Sequence, residues 1–173
     1  MNMIKQYLKT KKNLKLLALA LFALALGSTD CLAQGPGERA VGFGLILGDP
    51  FGATVKVWTN PVNAFVFDVG GDDFGPTRID ADYLWHFDAF RSRVVKMYAG
   101  PGLALAFGDG NGPYGREFER DDNGVGLAAR VMFGLNIIPV HTPLEIFFEL
   151  GPIIGGSPIG IGLDVAAGIR FYP

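Results

Sequence analysis

The last fourteen residues, Gly160 to Pro173, constrain the fold more than any other stretch. Read in steps of two, Ile161, Leu163, Val165, Ala167, Ile169 and Phe171 fall on one face, and Gly162, Asp164, Ala166, Gly168, Arg170 and Tyr172 on the other. Side chains alternate across a strand, so a period of two over this length reads as a β-strand with two unlike faces. One face is apolar and uncharged. The other is small, with one acid and one base. This is the pattern expected of the closing strand of a membrane β-barrel.

Seven earlier stretches carry the same signature. Ala40 to Gly48 sets Val41, Phe43, Leu45 and Leu47 against Gly42 and Gly44. Ala53 to Thr59 is ambiguous, with Lys56 and Trp58 on one face and Val55 and Val57 on the other. Ala64 to Gly70 sets Phe65, Phe67 and Val69 against Asp68. Arg78 to Phe87 sets Ile79, Ala81, Tyr83, Trp85 and Phe87 against Arg78, Asp80, Asp82, Leu84 and His86. Val94 to Phe107, Gly124 to Ile138 and Leu144 to about Pro152 repeat it, with Lys96, Arg130, Glu145 and Glu149 on the small or polar face. Turn residues separate the stretches: Asp49-Pro50, Asn60-Pro61, Gly71 to Thr77 and Pro139 to Pro143. The expected fold is all-β, an eight-stranded antiparallel up-and-down transmembrane β-barrel.

Composition assigns the faces. A water-facing sheet surface is rich in charged residues of both signs. Here the polar face is mostly Gly and Ala, and beyond residue 33 the chain keeps only Lys56 and Lys96 of its seven lysines. Small residues with isolated charges suit the narrow lumen of an eight-stranded barrel, while continuous Val, Leu, Ile and Phe suit lipid. A soluble periplasmic lipocalin-like barrel binding an apolar ligand is the alternative, because it alternates equally well with the faces reversed.

The first 33 residues read as a Sec-type signal peptide. Five lysines lie within the first fifteen residues, and Leu16 to Gly27 is an apolar run too short for a comfortable membrane helix. Cleavage near Ala33 puts Cys31 and Ala33 at the small-residue positions and removes the sole cysteine. Residues 34–173 then form the barrel domain, located in the outer membrane. Taking five lysines and Asp30 from 15 basic and 17 acidic side chains leaves 10 and 16, a balance that argues against a nucleic-acid partner. An even strand number puts both chain ends on the periplasmic side. The connections 49–52, 71–77, 108–123 and 153–159 then lie outside, and 60–63, 88–93 and 139–143 inside. Tyr83, Trp85, Phe87 and Phe171 fall towards the inner rim, where an aromatic girdle is expected.

This pattern resembles the small eight-stranded outer-membrane barrels of the OmpA/OmpX type. The ending Gly168-Ile-Arg-Phe-Tyr-Pro173 is similar to the closing-strand signal of such barrels, with Gly168 and Phe171 at matching positions and Pro173 where an aromatic is usual. The resemblance implies a monomer that contacts outer-membrane lipid and meets the barrel assembly machinery through its C-terminal strand. The segments Asp80-Ala-Asp82-Tyr-Leu-Trp-His86, Gly42-Phe-Gly44 and Gly52-Ala-Thr-Val-Lys56-Val-Trp58 also look like motifs of a family of small outer-membrane-like barrels. Some spirochaetal members of that family are associated with host-protein binding.

Candidate chemistry is sparse. Asp68, Arg78, Asp80, Asp82, His86, Lys96, Arg130, Glu145, Glu149, Asp164 and Arg170 are expected in a lumen charge network. Buried charges must be paired, so a salt-bridged plug is favoured over an ion path. Asp82 and His86 lie about 13 Å apart along one strand, too far to share a metal ion without another strand's help. No serine stands near a histidine in a way that suggests a nucleophile with its base. The expectation is a structural or surface-binding protein with no catalysis, no metal and no cofactor. The charged 108–123 loop, with Tyr114, Arg116, Phe118 and Arg120, is the candidate surface for an extracellular ligand.

Overall fold

The computed structural model describes residues 39–72, 74–88, 90–92, 94–108, 110–111, 119–120, 124–139, 142–155 and 160–173. Ten strands follow one another: β1 (Val41–Gly48), β2 (Phe51–Trp58), β3 (Asn63–Asp72), β4 (Gly75–Phe87), β5 (Val95–Phe107), β6 (Gly110–Asn111), β7 (Glu119–Arg120), β8 (Val125–Ile137), β9 (Leu144–Gly155) and β10 (Gly160–Phe171). Eight of them close into one barrel in the order β1-β10-β9-β8-β5-β4-β3-β2. Every neighbouring pair is antiparallel, and the barrel strands pair with their sequence neighbours. Among the described residues there is no helix. The short β6 and β7 pair with each other, off the barrel, in the connection between β5 and β8.

Closure is made by β1 and β10, with Phe43 opposite Phe171 and Gly48 opposite Ala166. Alternation then sorts the side chains. Phe43, Phe65, Phe67, Trp85, Leu103, Leu127, Phe133, Phe148 and Leu163 are exposed on the outer wall, while Asp68, Arg78, Arg130, Glu145 and Arg170 are buried in the lumen. Across all eight barrel strands no outward position carries a charge except at the barrel's rims. The apolar part of the lumen is divided into small groups. Trp58, Ala64 and Tyr172 pack near the start of β1 and the end of β10, Val66, Leu84, Tyr98 and Met132 in the middle, and Phe74, Ala104, Ala106, Ala128 and Ile153 towards the opposite end.

Strands β3 and β9 end later than the alternation predicted, and β2 and β4 begin earlier. Strand β3 runs through Asp72 and β4 starts at Gly75, so the expected 71–77 loop contracts to a two-residue turn. Asp72 Oδ1 caps it by accepting the N–H groups of Phe74 and Gly75 at 2.9 and 3.2 Å. Strand β9 runs through Gly155, past Pro152. Proline is tolerated there at the expense of pairing: the β8–β9 register passes from Arg130–Ile153 to Phe133–Leu150. Pro101 has the same effect on the β4–β5 register, which passes from Asp82–Gly102 to Trp85–Ala99. Proline has no N–H to give a ladder.

Three glycines are seats for aromatic rings. Tyr98 lies opposite Gly134, and Phe147 opposite Gly168. A Cβ built on Gly134 would meet the Tyr98 ring at 2.1 Å, one on Gly168 would meet Phe147 at 2.3 Å, and one on Gly42 would meet Tyr172 at 2.6 Å. Each ring covers the bare backbone of the glycine across from it, an arrangement that pins strand register. We expect Gly134→Val to destabilise the barrel by about 1–3 kcal/mol, since it overfills the lumen. Combined with Tyr98→Ala, the effect should be smaller than the sum of the two single changes. Urea unfolding followed by tryptophan fluorescence measures both.

Candidate functional site

The lumen holds the chemistry of this chain, in two clusters. The first is built on Arg130, which projects from the centre of β8. Its Nε donates to Asp82 Oδ1 at 2.8 Å, and Nη2 bonds the other oxygen of the same carboxylate. Nη1 donates to Asp80 at 3.1 Å and to Asp164 at 3.3 Å, and Nη2 reaches Asp68 at 3.2 Å. One guanidinium therefore joins β3, β4, β8 and β10. Arg78 does related work nearer the β3–β4 turn. Its Nε donates to Asp80 at 2.8 Å, and its two terminal nitrogens bond Asp72 and Asp164. The planar fork of arginine suits this bridging, because it offers five donors in fixed directions.

The second cluster surrounds Glu145, nearer the end of β10. Lys56 Nζ donates to Glu145 Oε1 at 2.8 Å, Arg170 Nη1 to the same oxygen at 3.2 Å, and the Tyr172 hydroxyl to Oε2. Arg170 spends its remaining donors on Thr54 Oγ1, at 3.0 and 2.8 Å, and lies 3.7 Å over the Phe147 ring. Trp58 Nε1 donates to the Tyr172 hydroxyl at 3.1 Å. His86 completes the group. Lys56 Nζ lies 2.9 Å from its Nε2, and Val62 O lies 3.2 Å from its Nδ1. An ammonium can only donate, so Nε2 is the acceptor and the ring proton sits on Nδ1, shared with the Val62 carbonyl.

Sequence reasoning named most of these residues but misplaced the lysines. Lys96 does not join the buried network. It sits at the barrel rim with 31 % of its side chain exposed, 4.0 Å from the exposed Asp88. Lys56 is the buried lysine, 0 % exposed. Its strand is ambiguous in the sequence. In the structure β2 sets Phe51, Ala53, Val55 and Val57 outward and Gly52, Thr54, Lys56 and Trp58 inward. Thr54, Asp72, Tyr98, Asn136 and Tyr172 were also missed as network members. Tyr98, Asn136 and Tyr172 lie on faces that alternation assigns inward, Thr54 lies on the ambiguous second strand, and Asp72 falls in the stretch read as the 71–77 connection.

The remaining sequence candidates separate. Asp80 and Asp82 belong to the Arg130 cluster and His86 to the Glu145 cluster, so the three do not converge. Among the described residues no group of three or more His, Cys, Asp or Glu is placed to hold a metal ion. Ser92 Oγ accepts the N–H groups of Val94 and Val95, each at 3.1 Å, and so caps the link into β5. Tyr114, Arg116 and Phe118 lie outside the described residues, as do His141 and Ser157; of Arg120, only its place in β7 is described.

No protein-family model, no curated protein and no solved structure matches this chain. What the site can do follows from its own geometry. Among the described residues, four cations and seven carboxylates from six strands meet in the lumen, cross-bracing its walls by direct hydrogen bonds. Removing one partner of a buried pair strands the other, which costs about 3–5 kcal/mol. Lys56→Met is therefore expected to lower stability by several-fold more than Lys96→Met, which should stay within about 0.5 kcal/mol of the parent. Arg130→Met should be the most damaging single change in the lumen. Equilibrium unfolding of the three variants ranks them.

Proposed function

We propose that this chain is a small outer-membrane protein whose eight strands span the lipid bilayer, with a structural or surface-binding role and a plugged lumen that does no catalysis. One observation carries the reading: the outer wall of the barrel is apolar on every strand. Leu45, Phe67, Leu105, Val131, Leu150, Val165 and their neighbours stand between about 37 % and 65 % exposed, forming one belt around the molecule. Soluble monomers rarely expose contiguous apolar patches beyond a few hundred Å², and a belt of this extent calls for lipid. Strand lengths of 8 to 13 residues suit tilted membrane strands. Closure leaves no strand edge with unpaired backbone groups facing lipid.

In this reading residues 1–33 direct export and are removed, and the barrel is a monomer. The start of β1, the end of β10 and the 59–62 turn share one rim, which in this reading faces the periplasm. Trp85, Phe87 and Phe171 stand on the outer wall near that rim. They supply the aromatic girdle, and β10 supplies the contact with the assembly machinery. The connection between β5 and β8 faces outward and is the surface for an extracellular ligand. The alternative of a soluble barrel with an apolar ligand inside requires an apolar lumen. The buried ion pairs around Arg130 and Glu145 weigh against it.

Val131 stands at the centre of β8 on the outer wall, 42 % exposed. Val131→Arg should cost about 2–4 kcal/mol in a bilayer, the penalty for a cation at the midplane. On a water-facing wall the same change should stay within about 0.5 kcal/mol. Fractionation of expressing cells, with electrophoresis of heated and unheated samples, gives the direct test. Recovery in the outer membrane with a heat-dependent shift in migration supports the proposal. Recovery as a soluble periplasmic protein sinks it.

A further inference from the structure

The two ends of the barrel differ in charge. At the rim of the 59–62 turn, the link from β4 and the start of β5 carry Arg91, Arg93 and Lys96 against one acid, Asp88. At the opposite end, the connection 108–123 between β5 and β8 carries five acids against Arg116 and Arg120. The basic rim is also the one near which Trp85, Phe87 and Phe171 stand on the outer wall.

The β4–β5 link has a defined shape at this rim. Ser92 Oγ accepts the N–H groups of Val94 and Val95, each at 3.1 Å. Val94 O accepts the N–H of Ile138 at 2.8 Å, which ties the link to the end of β8. Arg91 sits at φ 49°, the one non-glycine residue at positive φ among the described residues. Such a conformation is uncommon for a residue with a Cβ, and it concentrates at working surfaces. Arg91 is exposed and makes no hydrogen bond or ion pair with any described residue. Lys96 lies 4.0 Å from Asp88, both open to solvent, so that pair holds its charge only weakly. Between girdle and cation stands Phe90, three residues past Phe87 and 57 % exposed, and on the neighbouring turn Val62 is 51 % exposed. The turn is fixed in its turn, because Val62 O accepts the N–H of His86 at 2.6 Å.

Resting on the membrane-spanning reading above, we infer that this rim docks anionic phospholipid headgroups. Arg91 and Lys96 meet the headgroup phosphate, and Phe90 enters the acyl layer beside it. Charge complementarity carries the assignment. A guanidinium with all its donors free matches the oxygens of a phosphate, and basic groups at the end of a membrane-spanning element are drawn to anionic lipid. An aromatic ring beside a cation is the side-chain pairing that suits a boundary between hydrocarbon and water. A soluble polyanion would satisfy the cations and leave Phe90 and Val62 in water, whereas a lipid surface covers all of them. The acidic connection at the other end repels the same headgroups, so the preference belongs to one rim.

Spin-labelled lipids test it. The purified barrel is reconstituted in phosphatidylcholine vesicles with a trace of spin-labelled phosphatidylglycerol or spin-labelled phosphatidylcholine. The fraction of label immobilised at the protein surface gives the relative affinity of the two lipids. The wild type should favour phosphatidylglycerol by about two- to fivefold at low salt. That preference should fall towards equality in about 1 M salt, where exposed charges are screened. Arg91→Gln combined with Lys96→Gln should abolish it while both lipids are still restricted. Both positions lie outside the buried clusters, so this variant should fold. Arg116→Gln combined with Arg120→Gln removes as much positive charge from the opposite end and should keep the preference. Equal restriction of both lipids by the wild type overturns the inference and leaves the membrane-spanning reading intact. So does a preference that survives the loss of Arg91 and Lys96, or one erased by millimolar inorganic phosphate at constant ionic strength, which marks a site for the free anion. Restriction of neither lipid overturns the membrane-spanning reading, and this docking surface with it.

Discussion

A closed sheet of eight strands leaves an interior just wide enough for side chains to fill, and everything else in this molecule depends on that limit. Charges that point inward are shut off from bulk solvent. They must reach one another across the lumen, and Arg130 shows what this demands. One guanidinium contacts carboxylates from β3, β4 and β10 while standing on β8. The network sets the shape of the barrel by fixing which walls face which. Its net contribution to stability is smaller than its number of bonds suggests, because each charge was first stripped of solvent.

The same limit explains three of the glycines. An aromatic ring in so narrow a lumen needs a flat place to lie. Gly134, Gly168 and Gly42 provide it beneath Tyr98, Phe147 and Tyr172. Ring and polar tip then serve different purposes. The ring packs on backbone, while the Tyr98 and Tyr172 hydroxyls extend into the charge clusters at Glu149 and Glu145. Packing and electrostatics are thus joined through the same side chains.

Much of this was legible because alternation is a strong signal. Phe65, Phe67 and Val69 against Asp68, or Ile146, Phe148 and Leu150 against Glu145 and Glu149, sort themselves without knowledge of the fold. Two things were not legible. Strand ends depend on turn geometry, as the short Asp72-capped turn shows, and in β2 the two faces are too alike in composition for Lys56 to be assigned inward from the sequence. Pairing across the lumen is the other. Nothing in the order of residues says that Arg78 meets Asp164, 86 positions away, or that Lys56 meets Glu145, 89 positions away. Those contacts are set by ring closure and strand tilt, which only the folded barrel defines.

The last strand has a particular place in this arrangement. Asp164 belongs to the arginine cluster, while Arg170 and the adjoining Tyr172 belong to the Glu145 cluster. Both clusters thus draw members from the final stretch of chain. A polypeptide cut short before β10 could pair its first seven strands, yet it would hold Arg78 short of one partner and Glu145 short of two. It would also leave β1 and β9 as open edges. Ring closure and the charge network are thereby coupled: the energetic reward for closing the barrel is withheld until β10 is in place.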